Sequence, residues 1–342
     1  PFFAVPAAAQ QVTADFERRS AYLYGFSDVT RWLRLLAGAA WDHVERPVNF
    51  RNPPITGGET TARRANAKVG FTLAPAPSTT VRGVYAEALG GVTFDESVRL
   101  EPVQLAGFDQ TFRTVISESV AGSVESPVYK LWGLGADGHL AGRTWWHATT
   151  QVLRENVDRT VGVFDAYTAA VFPTGAVILP SATPEVLRYR ETDTTVGLTH
   201  LIGNELAAGV NYRRTHATLR RRFPQVPTPL DPQGDREDTA KLHRVQLHAV
   251  WNAPTGWFAR ADATWRSQSL AESMAGRPVP APLGDEFWHF DLRLGVRLRR
   301  NQIEFSTGVL NLTDRNYRLS PLTQVLTLPR ARTAVMRLRG GF

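Results

Sequence analysis

From Trp288 to Arg299 apolar and polar residues alternate strictly. Trp288, Phe290, Leu292, Leu294, Val296 and Leu298 hold the even positions, and His289, Asp291, Arg293, Gly295, Arg297 and Arg299 the odd ones. Period two is the geometry of a β-strand with unlike faces. A strand packed on a protein core usually keeps a mixed solvent face. Here grease and charge stay apart over a length that crosses a bilayer when tilted. Arg at the bilayer midplane costs about 2–4 kcal/mol, so the flank carrying Arg293 and Arg297 is the wet one.

The same dyad recurs towards the N-terminus. One face carries Trp257, Ala259, Ala261, Ala263 and Trp265, with Phe258, Arg260, Asp262, Thr264 and Arg266 between them. Further apolar faces read Val245, Leu247, Ala249, Trp251; Leu206, Ala208, Val210, Tyr212; Ala65, Ala67, Val69, Phe71, Leu73; and Leu33, Leu35, Ala37, Ala39, Trp41. Less clean strands are expected near 128–137, 141–154 and 188–201. Tight turns are expected at 28–30, 75–78, 137–139, 203–204, 254–256 and 300–301, where the residues tolerate them. Between them lie long polar segments: 46–61, 90–126, 155–186, 222–239, 272–285 and 313–330. Turns on one side and long loops on the other predict an all-β, antiparallel transmembrane barrel with periplasmic turns. Trp257 and Trp265 then sit at opposite membrane interfaces, with Trp251 beside the turn and Trp288 on the loop side, as two aromatic girdles require.

Thirteen strands are expected, six hairpins and a terminal strand near 332–342. An odd count, starting from the loop side, departs from the even-numbered single-chain bacterial barrel. Residues 1–342 are therefore expected to be the C-terminal part of one larger barrel domain, without a plug.

Composition narrows the class further. No run approaches the length of apolar residues that a membrane helix needs. Cysteine is absent, which excludes disulfides, thiolate metal sites and a cysteine nucleophile. The formal charge is +7, and of 39 basic residues only Lys68, Lys130 and Lys241 are lysines. The arginines are spread over alternating strands rather than gathered in a block, so they read as lumen lining and loops, not as a nucleic-acid surface. The chain opens on Pro1 without a signal peptide.

Three segments carry a family resemblance: 305–317, Phe-Ser-Thr-Gly-Val-Leu-Asn-Leu-Thr-Asp-Arg-Asn-Tyr; 329–342, Pro-Arg-Ala-Arg-Thr-Ala-Val-Met-Arg-Leu-Arg-Gly-Gly-Phe; and Leu100-Glu-Pro102. The hairpin from Tyr22 to Asp42, with its Gly, aromatic, Asp ending, adds to them. Together these resemble the C-terminal barrel portion of TonB-dependent outer-membrane receptors. The resemblance implies a 22-stranded barrel in the bacterial outer membrane, blocked by an N-terminal plug. It also implies uptake of a scarce ligand of siderophore, cobalamin or glycan type, with energy from the TonB complex reaching the barrel only through an N-terminal part that is not in this sequence. Phe342 is similar to the terminal signal read by the barrel-assembly machinery, with Ala334, Met336 and Leu338 on the lipid face. Lipid and lipopolysaccharide are the expected surroundings, and the barrel is expected to be monomeric.

Other motifs fail in context. Gly133-Leu-Gly-Ala-Asp-Gly138 has the dinucleotide-binding spacing, but a strand-like run follows where a helix is needed. Its glycines are expected to serve a turn and close strand packing. His243 and His248 point to opposite faces of one strand, which argues against a shared metal. No nucleophile elbow or acid–base constellation appears, so neither an enzyme nor a cofactor is expected. The lumen candidates for ligand contact are Arg260, Asp262, Arg293, Arg297 and Arg299, a cationic wall; the same residues also make a structural ladder with Asp291 and Glu304. Segments 155–186 and 222–239 are the expected capture surface, with Arg220 to Arg222 near lipopolysaccharide phosphates. The alternative functions are a passive pore or a structural barrel of a secretion or attachment protein, and beyond these a soluble all-β binding module.

Overall fold

The computed structural model describes residues 10, 13, 15–90, 101–112, 125–140, 142–168, 176–227, 234–274, 277–279, 285–298, 303–316 and 331–340. Among the described residues thirteen long strands form one antiparallel meander in which each strand pairs with the next. They are β1 (Glu17–Thr30), β2 (Leu33–Asn49), β3 (Thr56–Ala76), β4 (Thr79–Leu89), β7 (Val128–Leu140), β8 (Thr144–Thr168), β9 (Ala176–Ile202), β10 (Leu206–Arg222), β11 (Asp235–Asn252), β12 (Trp257–Met274), β14 (Asp285–Leu298), β15 (Ile303–Leu310) and β16 (Thr333–Gly340). Three short pieces complete the count. β5 (Gln104–Leu105) and β6 (Phe108–Asp109) form a separate hairpin, and β13 (Arg277–Val279) folds back on β12. Among the described residues β1 and β16 are the two edges of the sheet.

Directly paired residues share a face, so register carries one face across the sheet. Trp265 lies opposite Trp288, Ala261 opposite Leu292 and Trp257 opposite Val296. The same rung continues from Trp265 through Val245, Tyr212 and Val196. In the N-terminal half Leu35 faces Phe71, and Phe71 faces Gly83. This face exposes its large apolar side chains, Leu292, Leu294, Trp257 and Leu338 among them. An apolar face of that extent on a long antiparallel meander is a lipid face.

Three expectations need correction. First, much of what reads as polar loop is strand. β8 and β9 pair from Thr144↔His200 to Thr168↔Ala176, so most of 155–186 is a projecting hairpin, and 235–239 belongs to β11. In these extensions one face is buried, with Val157, Val161, Thr183 and Glu185 nearly inaccessible, but that face mixes apolar with charged residues, so no clean alternation marks them; their Val, Thr, Phe and Tyr content was the available signal. Second, β7 runs through Asp137 to Leu140 and β1 through Thr30, so the turns expected at 137–139 and 28–30 lie further on, the latter at 31–32. Third, the inner face is not wet throughout. Leu36, Val84, Ala86, Leu131 and Leu153 form a dry cluster with Leu105, Phe108 and Phe112. The cover is the chain's own segment 101–112, folded onto the inner wall. The turn at 300–301 lies outside the described residues.

Candidate functional site

The inner face divides into two walls. On β2–β8 small residues make room for the β5–β6 hairpin. Its two-residue turn places Ala106 and Gly107 at φ of 47° and 82°, the combination that a tight hairpin loop requires. A Cβ at Gly133 would come within 2.5 Å of Phe108, and one at Gly70 within 3.2 Å of the Ala106 methyl. Gly133 and Gly135 of the dinucleotide-like motif thus admit a phenyl ring.

Polar anchors fix the same segment. The Lys68 ammonium, almost fully buried, donates to Gln110 Oε1 at 2.6 Å and to Glu101 Oε2 at 3.2 Å, and lies 5.7 Å from the Phe112 ring centroid. Gln110 in turn donates to the Pro102 carbonyl at 2.6 Å. Beside it the buried Asp42 accepts from Arg18, Ser20 and Asn66, each at 2.7 Å. Arg82 pairs with Asp137 near the hairpin tip. Beneath that tip a cavity of about 200 Å³ opens toward the turn end, lined by Phe26, Arg34, Leu36, Thr72 and Arg82.

The second wall, on β11–β15, carries the sequence candidates. Arg260 and Asp262 form a bidentate pair at 2.6 and 2.9 Å, and Gln246 donates to Asp262 at 2.9 Å. Arg297 donates to Glu304 at 3.0 Å and to Asn252 at 2.8 Å, with its guanidinium 4.2 Å from the Phe258 ring centroid. Arg293 lies opposite Arg260 and Gly308 on this same face, half exposed. The structure therefore brings Arg260, Asp262, Arg293 and Arg297 onto one wall, most of their charge engaged in a ladder. Arg299 lies outside the described residues, as does Phe342. His243 and His248 do occupy opposite faces, pairing with Ser267 and Asp262 respectively.

The tryptophans sit at two levels of the lipid face. Trp251 and Trp257 flank the turn at 253–256, and Trp251 Nε1 donates to Glu205 at 3.2 Å. Trp265 and Trp288 are direct partners toward the loop end, where Trp265 Nε1 donates to Glu286 at 3.1 Å. Apolar rings with a polar handle suit an interface. Beyond the loop-end girdle, on the projecting part of β8, Arg159 bridges Glu125 at 2.8 Å and Glu185 at 2.6 Å. Burial opposes its charge, yet the two carboxylates raise its pKa above the ordinary value.

The Asn-Leu-Thr-Asp block has a structural task. Asn311, buried at φ 51°, donates its backbone amide to Asp291 Oδ1 at 2.8 Å and bonds twice to the Arg315 backbone. Asp314 then accepts from the Arg332 amide at 2.9 Å, which ties β14, β15 and the approach to β16. Sequence reasoning missed Lys68, Glu101 and Gln110. The available signal was a lone lysine on the wet face of a strand whose neighbours on that face are small.

No family model and no curated protein matches the chain. Solved structures do. The copper transporter OprC matches with a TM-score of 0.52 at 14% identity, over 94% of this chain and 47% of its own. The siderophore receptor PiuA from Acinetobacter baumannii matches with 0.52 at 9% identity, over 88% of this chain and 49% of its own. The chain thus spans about half the length of these two solved structures. The fold it shares with them is that of outer-membrane β-barrels.

Proposed function

We propose that this chain is barrel wall of a TonB-dependent receptor-like transporter that takes up a scarce ligand across the bacterial outer membrane. Siderophore, cobalamin and glycan ligands belong to the range, and a wall rich in arginine favours an anionic one such as a charged metal chelate. The observation that carries the reading is the fold. A thirteen-strand wall lined inside by a charged ladder and outside by two tryptophan levels follows the barrels of a metal transporter and a siderophore receptor along most of its length. In this reading the TonB complex supplies energy through a plug that the complete protein carries, and the barrel-assembly machinery inserts it.

The test is uptake. Deleting the gene is expected to abolish growth or labelled-chelate uptake under limitation of the ligand, and inactivating TonB is expected to have the same effect. Uptake that persists without TonB contradicts the reading. One observation favours a second reading: the inward hairpin 101–112 narrows the lumen as the constriction of a passive pore would. Steady ion conductance of the purified protein in a planar bilayer, with no energy source, would select it.

A further inference from the structure

Past the loop end of β4 the wall comes apart. β3 pairs with β4 only as far as Lys68↔Ala86, and β4 ends at Leu89, whereas the part of β3 from Thr56 onward to that point rests on β2 alone. The freed top of β2–β3 leans onto the projecting β8–β9 hairpin. There the Gly162 amide donates to the Asn52 carbonyl at 3.0 Å, at a glycine where any Cβ would strike the Pro54 carbonyl. Below that bridge lies a cleft of about 450 Å³. Arg46, Thr60 and Arg64 line it from inward positions of β2–β3, and Lys130, Asn156 and Arg188 from outward positions of β7–β9. The cleft thus lies between two layers of protein, apart from the charged ladder on β11–β15.

The charges around it do not all find partners. Glu87 takes Arg64 at 3.0 Å and Lys130 at 2.9 Å, Asp158 takes Arg188 at 2.7 Å, and Glu125 takes Arg159 at 2.8 Å. Arg46 is left over. It is only 7% exposed, its Nε donates to Ser126 Oγ at 3.2 Å and its Nη1 to the Pro47 carbonyl at 3.4 Å, and among the described residues it forms no ion pair. Burial lowers its pKa, against the field of Glu125. In the same lining the buried Nε of Arg64 has no acceptor among the described residues. A buried guanidinium without a carboxylate is costly, and a cleft of this volume is of ligand size. We infer that the cleft binds a small hydroxylated anion from the medium, its carboxylate or phosphate on Arg46 and Arg64 Nε and its hydroxyls on Thr60, Thr61, Ser126 and Asn156. Bound there, the anion clamps the top of β2–β3 to the β8–β9 hairpin. The site needs only the fold, so it stands whether or not the barrel transports.

The experiment titrates the full chain, purified in detergent at neutral pH and low ionic strength, with glucuronate, glucose 6-phosphate or glucose, and reads the heat of binding. Saturable binding of glucuronate alone assigns a carboxylate to the site, of glucose 6-phosphate alone a phosphate monoester, and of both a site that reads the charge whichever group bears it. Binding of neither, or equal binding of uncharged glucose, overturns the site. Arg46→Met is expected to bind roughly 10- to 100-fold more weakly, the worth of a charge-assisted hydrogen bond. Without ligand it is expected to unfold no earlier than wild type, since an apolar side chain replaces an unpaired buried charge. Unchanged binding by Arg46→Met overturns the proposal whatever its stability. Should that variant unfold earlier or fail to fold, judged by its heat-shifted electrophoretic mobility, Thr61→Glu at an exposed position of the lining is expected to weaken binding at least about tenfold by like-charge repulsion, and no loss refutes the proposal. Excess lipopolysaccharide is expected not to displace the bound anion; displacement overturns a free solute as the occupant. Uptake with and without TonB tests the transport reading separately, and its failure leaves these titrations unaffected.

Discussion

The walls on β2–β8 and β11–β15 share strand geometry and a lipid-facing side, yet their inner faces solve opposite problems. On β2–β8 the inner face carries a small apolar patch sealed by segment 101–112, and the Lys68 ammonium beside it is buried with its partners. On β11–β15 the inner face keeps its charges in side-by-side pairs open to the lumen, with the Arg260 side chain 51% exposed. The difference teaches that the membrane dictates only one side of such a strand. What the other side becomes depends on whether another part of the chain lies on it.

The energetic consequences should separate the two walls. Lys68→Ala leaves Glu101 and Gln110 buried without their cation, and a loss of about 3–5 kcal/mol is expected. It should appear as a lower denaturation midpoint in detergent, together with new protease cleavage within 101–112. Replacing the pair by Lys68→Met with Glu101→Leu is expected to recover much of it, since a matched apolar pair avoids desolvating charge. Gly133→Val drives a side chain into Phe108, and overpacking of about 1–3 kcal/mol is expected, measured in the same unfolding experiment with the hairpin displaced. On the other wall Asp262→Asn should cost at most about 1 kcal/mol, because its arginine partner is half in water and screened. Arg293→Gln is expected to move stability by no more than about 0.5 kcal/mol, while lowering the affinity of an anionic ligand. If the Asp262 change proved as costly as that at Lys68, the two walls would not differ as described.

The lipid-facing side was legible because water-to-lipid transfer penalises charge at every outward position, which leaves a clean alternation from Trp257 to Trp265 and from Trp288 to Leu298. The strand count and the two tryptophan levels followed from that alternation. The hairpin was not legible by the same route, since a dry inner face removes the alternation instead of creating it. Leu131-Trp-Gly-Leu-Gly-Ala136 and Val84-Tyr85-Ala86 carry apolar residues on both sides, the mark of a strand covered twice. The projecting strands 155–168 and 176–186 escaped for another reason: their buried positions mix Val157 and Val161 with Glu155, Thr183 and Glu185, so apolar and polar residues do not sort by parity. Of the lumen candidates, placement on one wall was readable from parity; their pairing was not, because Arg260 with Asp262 and Arg297 with Glu304 depend on rotamers and on the neighbouring strand.

Because the chain lacks cysteine, single thiols can report each environment without interference. The decisive measurement is the labelling of Arg293→Cys, Leu294→Cys and Ala86→Cys by a water-soluble and a lipid-soluble maleimide in intact outer membranes. The account requires the aqueous reagent to modify position 293, the lipid-soluble one position 294, and neither position 86 until Lys68→Ala releases the hairpin. Aqueous labelling at 294, or ready labelling at 86 with Lys68 in place, would contradict it.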